Sequence, residues 1–194
     1  MRSRTAGVLV GARARCALEV HLERPRHGAA RERFIDAASP ILRRAAIDLN
    51  ASVELHLDSG GLIRCIDQGF WPMAGRSDQA SQRVGTIATP HASAAGKAVL
   101  AHRADIDAIE LAPITSHTIT ERHELEAQLE RIRASGIAWE RDEVSLGVSA
   151  VAVPCRTEHG DLMAVSVTES SDSFRERADQ IVPVLLGVRD ELAA

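Results

Sequence analysis

The 194-residue chain has no tyrosine, and its three phenylalanines and two tryptophans make up only 3% of the residues. Single-stranded nucleic acid is held largely by bases stacking on aromatic rings, and such platforms are largely lacking here. Cysteine is scarce as well. Cys16, Cys65 and Cys155 are odd in number and far apart, which argues against a disulfide framework and fits a reducing cytoplasm. No apolar run approaches the roughly 20 residues of a spanning helix, and the Arg-containing N-terminus lacks the apolar centre of a signal peptide. No membrane association is expected. Catalytic signatures are also missing: there is no G-x-S-x-G, no H-E-x-x-H and no P-loop, because Lys97 after Gly96 lacks the required upstream glycine. An active site would have to be assembled from scattered groups such as Asp142, Glu143 and the histidines, and no enzyme is expected.

What is present suffices for one domain with a real core plus an appendage, since 45% of the residues are apolar and 26% charged. The net charge of −4 is unevenly placed. The first 33 residues hold eight Arg against three Glu, leaving about +5 in front and −9 behind. The acidic rear is a poor surface for phosphates. The basic front reads as a solvated, partly helical arm, with phosphate binding as the alternative.

Along the chain, Val8 to Leu22 alternates small apolar residues with Arg and is broken by Pro25 and Gly28, so residues 1–28 form a connector. A helix follows from Ala29 to Leu49, with a break or kink expected at Pro40 and Asn50 closing it. Val53, Leu55 and Leu57 mark a half-buried strand, Asp58 to Gly61 a turn, and Leu62 to Asp67 its hairpin partner. Phe70, Trp71 and Met73 are the main bulky cluster, serving either as core or as an apolar wall, before a polar loop from Gly75 to Ser81. A helix near Ile106 to Leu111 comes next. Thr118-x-x-Glu121 has the form of a capping box, opening a helix with Leu125, Leu129 and Ile132 that ends at Gly136. Strands at Ile137–Glu140, Ser149–Pro154 and Leu162–Thr168 are separated by a charged loop and by the turn at His159-Gly160-Asp161. Ser173 to Glu176 is a second capping box for a final helix, which Pro183 should kink. This order describes an α+β domain over residues 29–194, with a central, largely antiparallel sheet flanked by helices.

Two stretches carry chemistry. Thr89 to Ala101 starts with Pro90 and the N-cap Ser93, then continues with Ala94, Ala95 and Gly96, so nothing bulky obstructs the unpaired amides of a helix head. Such a head suits a small carboxylate and is read as one wall of a ligand pocket, although the same residues also suit close packing on a sheet. In Leu162 to Thr168, Met163, Val165 and Val167 share one face while Ser166 and Thr168 share the other, roughly 7 Å apart. On the pocket side these hydroxyls would meet a ligand's oxygens. On the solvent side they would be plain surface, and the alternation by itself leans that way.

The string His91-Ala-Ser-Ala-Ala-Gly-Lys-Ala-Val-Leu-Ala, then Ile119-Thr-Glu with its Leu-x-x-x-Leu helix and Gly136, then Glu140-Arg-Asp-Glu leading to Gly147-Val, and finally Ala164-Val-Ser-Val-Thr stand in register over residues 30 to 192. Together they resemble the effector-binding domain of IclR-family transcriptional regulators. The resemblance implies a GAF-like, profilin-like fold, a small organic acid effector (a keto or aromatic acid), and a homodimer or homotetramer. It also implies DNA binding only through an N-terminal winged helix-turn-helix, which is expected to be absent from this chain. Carried over by position, the ligand contacts become Ala94, Ala95, Glu140, Ser166 and Thr168, with Val148 and Ala150 as apolar lining. Glu140 stands where Asp is common, which shortens the pocket. Ala150 replaces a larger side chain of some relatives, which deepens it. An anion beside Glu140 needs that carboxylate protonated, turned away, or used on a ligand hydroxyl.

Three other readings compete. The first is catalysis on a small acid. The second is a pure oligomerisation module. The third is zinc at Cys155-x-x-x-His159 joined by His56, His91 or His117, although a turn between strands explains that spacing equally well. No metal and no cofactor is expected.

Overall fold

A computed structural model describes residues 28–69 and 83–193 of the chain. Helix α1 (Gly28–Leu49) leads into the hairpin β1 (Val53–Ser59) and β2 (Leu62–Gly69), and a short strand β3 (Ile87–Ala88) follows. Helices α2 (Ala94–Leu100) and α3 (Arg122–Ser135) precede β4 (Ala138–Arg141), β5 (Val148–Arg156), β6 (Leu162–Ser170) and the closing helix α4 (Ser171–Leu192). The strands form one antiparallel sheet in the order β3-β2-β1-β6-β5-β4, so the last long strand inserts beside the first. This is the α+β, GAF-like architecture that the sequence implies. Residues 1–27 and the cluster Phe70, Trp71 and Met73 lie outside the described residues.

Each face of the sheet carries its own core. Val53, Leu55 and Leu57 of β1, Val151 and Val153 of β5, and Met163, Val165 and Val167 of β6 pack under α1 and α4. The opposite face is built from Ala138, Ala150, Ala152 and Ala164, on which α2 and α3 sit through Ala94, Ala95, Ala98, Leu125 and Leu129. Small side chains on both partners let α2 approach the sheet closely. A Cβ on Gly96 would overlap the backbone carbonyl oxygens of Thr89 and Pro90, so only glycine fits that position. Asn50 (φ 48°) and Gly136 (φ 71°) close α1 and α3 in the left-handed conformation that such helix ends favour.

Several local expectations are corrected. The break expected as one alternative at Pro40 does not occur, and α4 is likewise continuous through Pro183, which is compatible with the kink expected there. Burial of Leu42, Ala45 and Leu49 beyond the first proline, and of Leu185 and Val188 beyond the second, offsets a local cost of about 3 kcal/mol. No helix forms at 106–111, because the Arg122 guanidinium occupies the carbonyls of Ile106 and Ile109, each at 2.7 Å. Thr118 does not cap α3, whose N-cap is Glu121; its hydroxyl accepts from the Thr115 amide at 2.9 Å and donates to the Glu143 carbonyl at 2.6 Å. The α4 cap is Ser170 rather than Ser173. β1 is buried on both faces, not half-buried, with Glu54 and His56 facing away from the first core.

Candidate functional site

The strand register lays out the floor of a cavity. Glu54 of β1 stands opposite Ser166 of β6, and Ser166 opposite Ala152 of β5. One rung along, Thr168 faces Ala150, and Ala150 faces Glu140 of β4. With strands about 4.8 Å apart, these two rows bring polar groups from β1, β6 and β4 around a centre where Ala150 leaves space. The head of α2 forms the roof. The resulting cavity has a volume of about 360 Å³ and is lined by Ser93, Ala94, Ala95, Glu140, Val148, Ala150, Ser166 and Thr168 among others. All seven positions singled out from the sequence therefore line a single hollow, with both β6 hydroxyls on the α2 side of the sheet.

Ser93 Oγ takes the Gly96 amide at 3.0 Å, and the Lys97 amide donates to the Ser93 carbonyl at 2.9 Å. The first-turn amides of Ala94 and Ala95 are left without an intrahelical acceptor. Across the cavity, Glu140 is turned back toward its own loop. Its Oε1 accepts from the amides of Glu143 at 3.1 Å and Val144 at 3.3 Å. Burial nevertheless pushes its carboxyl up to about 7, against the pull of those amides, so the proton an anionic neighbour would require is available near neutrality. The loop itself is closed by Asp142, a non-glycine residue at φ 59° whose carboxylate accepts from the Gly147 amide at 2.6 Å and from the Ser171 hydroxyl at 2.9 Å.

Behind this wall lies a wholly buried cation. Lys97, with 0% of its surface exposed, reaches from α2 to Glu143 Oε1 at 2.6 Å and to Gln128 Oε1 of α3 at 3.0 Å. Burial lowers the lysine and raises the glutamate; their mutual attraction offsets part of each shift. The pair fastens α2 to the 141–147 loop, so roof and wall are tied from outside the cavity.

The sequence reading missed the β1 wall. Glu54 and His56, each about 5% exposed, line the same cavity together with Arg83. His56 Nε2 lies 3.0 Å from Ser166 Oγ and 3.3 Å from Glu54 Oε2, while the Arg83 guanidinium approaches Glu54 Oε1 at 3.8 Å. The two residues alternate with apolar neighbours, a pattern that also fits a water-facing strand side. The signal that distinguishes the cases is the pairing of β1 with β6, more than 100 residues away. The bulge that shifts the β1–β2 register between Leu55 and His56 sits beside this wall.

The remaining hollows are of another kind. One, also about 360 Å³, gathers Arg133, Arg156, Arg189 and His102 at the far end of β5. There Arg133 binds the Ala101 carbonyl at 3.0 Å and Arg156 approaches the His102 carbonyl at 3.5 Å, as cations at helix C-termini do. Cys155 lies in that hollow, and no group of three or more His, Cys, Asp or Glu side chains suited to a metal ion occurs among the described residues. No helix among them is long and apolar enough to cross a membrane.

Comparison with known proteins gives a consistent answer. The family model for the C-terminal part of the bacterial transcriptional regulator IclR matches residues 29–191. The chain is 33% identical over 152 residues to the HTH-type transcriptional regulator Rv1719 of Mycobacterium tuberculosis, covering 76% of this chain and 58% of that protein. It is 30% identical over 159 residues to the HTH-type transcriptional regulator BhcR of Paracoccus denitrificans, covering 77% and 56%. The chain thus spans little more than half the length of these regulators. Among solved structures, the Thermotoga maritima IclR superposes with a TM-score of 0.71 at 27% identity, covering 82% of this chain and 66% of that one. The inducer-binding domain of PobR from Acinetobacter, solved as a double mutant in complex with 3-hydroxybenzoic acid, superposes with a TM-score of 0.74, covering 82% and 97%. At 21% identity, that second likeness concerns the fold.

Proposed function

The chain belongs to the family of bacterial IclR-type transcriptional regulators through their C-terminal domain, and from that premise we propose that the cavity beneath α2 binds a small organic acid effector. The observation that carries this reading is convergence: the amides of Ala94 and Ala95, the hydroxyls of Ser166 and Thr168, and a carboxyl at Glu140 that holds a proton near neutrality all border one hollow. The acid's carboxylate faces the head of α2, Ser166 and Thr168 donate to its oxygens, and Val148 and Ala150 cover its apolar part. The PobR domain, with 3-hydroxybenzoic acid in its complex, lends support from a protein of the same fold. The domain acts by binding rather than by turnover.

An effector shifts a protein only through different affinities for two arrangements. Here the bound acid braces the 89–101 segment against the sheet and favours one arrangement of a homodimer or homotetramer. DNA is contacted by a winged helix-turn-helix of the whole regulator rather than by this domain, and the protein works in the cytoplasm. Calorimetric titration of pyruvate and benzoate into the wild type and into a Ser166→Ala, Thr168→Ala double variant tests the pocket. Affinity should fall at least about tenfold in the variant, given two lost hydrogen bonds. Equal affinities in both proteins reject the assigned site.

A further inference from the structure

The hollow of about 360 Å³ that gathers Arg133, Arg156 and Arg189 lies at the other end of the sheet from the effector cavity. Along β5, Arg156 stands about 20 Å beyond Ala150. The three arginines come from α3, β5 and α4, so only the fold brings them together. Helices α2, α3 and α4 all end at its rim, and the pull of their last carbonyls explains part of this gathering. It explains one nitrogen each of Arg133 and Arg156, through the carbonyls of Ala101 and His102. Arg156 Nη1 reaches the Gly160 carbonyl at 3.3 Å. Nε and Nη2 of Arg133 and Nε of Arg156 have no acceptor among the described residues, and no carboxylate there pairs with either guanidinium. Arg189 spends Nε and Nη2 on the exposed Asp190, which leaves Nη1 beside Gly136, 3.2 Å from where a Cβ would stand. An unspent positive field is also felt at His102, whose imidazole is held below its ordinary range by partial burial and then by the charges of Arg156 and Arg133. Beneath these cations the lining is apolar, made by Pro154, Leu162 and Cys155, whose thiol burial pushes up to about 12 and so keeps neutral.

We propose that this hollow is a second ligand site, separate from the effector cavity, for an amphipathic carboxylate: its head accepts from the guanidinium groups of Arg133 and Arg156, and its apolar body lies on Pro154, Cys155 and Leu162. A guanidinium presents its N–H groups in a planar fork that matches a carboxylate, and such charge-assisted bonds are about twice as strong as neutral ones. A hollow of this volume is at the small end of ligand sites and takes a molecule of roughly ten non-hydrogen atoms. Other classes fit less well. A cation meets three arginines, a neutral alcohol leaves the fork unmatched, and a bare inorganic anion leaves the apolar lining uncovered. The inference does not depend on what the cavity beneath α2 binds.

The test titrates four probes calorimetrically into the whole chain: octanoate, 1-octanol, octylamine and inorganic phosphate. Octanoate should bind about tenfold or more tighter than each of the others. Arg133→Gln and Arg156→Gln should each weaken octanoate by about tenfold or more, and Arg156→Lys, which keeps the charge but not the fork, should recover part of that loss. The Ser166→Ala, Thr168→Ala double variant should bind octanoate as the wild type does, because its changes lie at the other end of β6. A second measurement needs no variant to fold well. The Nε–H signals of Arg133 and Arg156 in nitrogen-15 NMR of the wild type should move on adding octanoate, while other arginines distant from the hollow stay still. The proposal is overturned if octanoate does not bind, if octanol, octylamine or phosphate binds as tightly, if the glutamine variants bind octanoate unchanged, or if those signals do not move. Octanoate binding that vanishes in the Ser166→Ala, Thr168→Ala variant also overturns it, by placing the probe in the effector cavity.

Discussion

Glu140→Gln isolates the electrostatics of the cavity wall. Glutamine preserves a carbonyl oxygen for the amides of Glu143 and Val144, so the loop keeps its hydrogen bonds. What changes is the titration. In the folded protein burial raises this carboxyl from 4.5 to about 7. A raised carboxyl contributes stability that is fully present below about pH 4.5 and is lost as the pH climbs through about 7. At about 1.4 kcal/mol per pH unit the ceiling on that loss is ~3 kcal/mol, and water entering the cavity screens it to about 1–2 kcal/mol. Near pH 4 the variant and wild type should therefore melt alike. By pH 8.5 the glutamine variant should be the more stable, by roughly 2–8 °C for a domain of this size. Thermal melts from pH 4 to 9 measure this directly. Glu143, whose carboxyl is likewise raised by burial, repels the Glu140 charge, so the difference between the two curves reports Glu140 together with that coupling. Parallel curves across the whole range, or a variant that is weaker at pH 8.5, would refute the reasoning.

Two further outcomes follow from groups outside the cavity. Lys97→Met and Glu143→Leu, made singly, should each cost about 3–5 kcal/mol in urea unfolding because a buried charge loses its partner, whereas the double variant should recover most of that loss; simple additivity of the two would exclude the pairing as an energetic unit. Cys65 and Cys155, each pushed up to about 12 chiefly by burial, should resist iodoacetamide at pH 8 in the native protein and react once it is unfolded, as mass spectrometry of labelled peptides would read.

The fold was legible wherever burial imposes a period. Alternation in 162–168 assigns Met163, Val165 and Val167 to one core, and the spacing of Leu125, Leu129 and Ile132 marks the inner face of α3. It was illegible where two causes leave the same pattern. A polar strand face looks alike whether it meets water or a cavity, so Ser166 and Thr168 leaned toward solvent and Glu54 and His56 passed unnoticed. Long-range pairing decides the matter, and nothing local to β1 encodes its contact with β6. Capping boxes were overread for a related reason. Threonine and serine hydroxyls bind whichever backbone group comes within reach, and Thr118 serves the Glu143 carbonyl instead of a helix.

Strand β6 serves two masters, with Val165 and Val167 under α1 and α4 and Ser166 and Thr168 beneath α2. A lineage adapting to a new signal is thereby steered away from it, because any backbone adjustment that suits the ligand disturbs the opposite layer. Ala150, a single methyl between Thr168 and Glu140, stands on β5, which carries the same double load through Val151 and Val153, but a longer side chain there extends into the cavity without any shift of the strand. Exchange at that alanine is the cheapest route by which this scaffold can acquire a different chemical vocabulary while its architecture stays still.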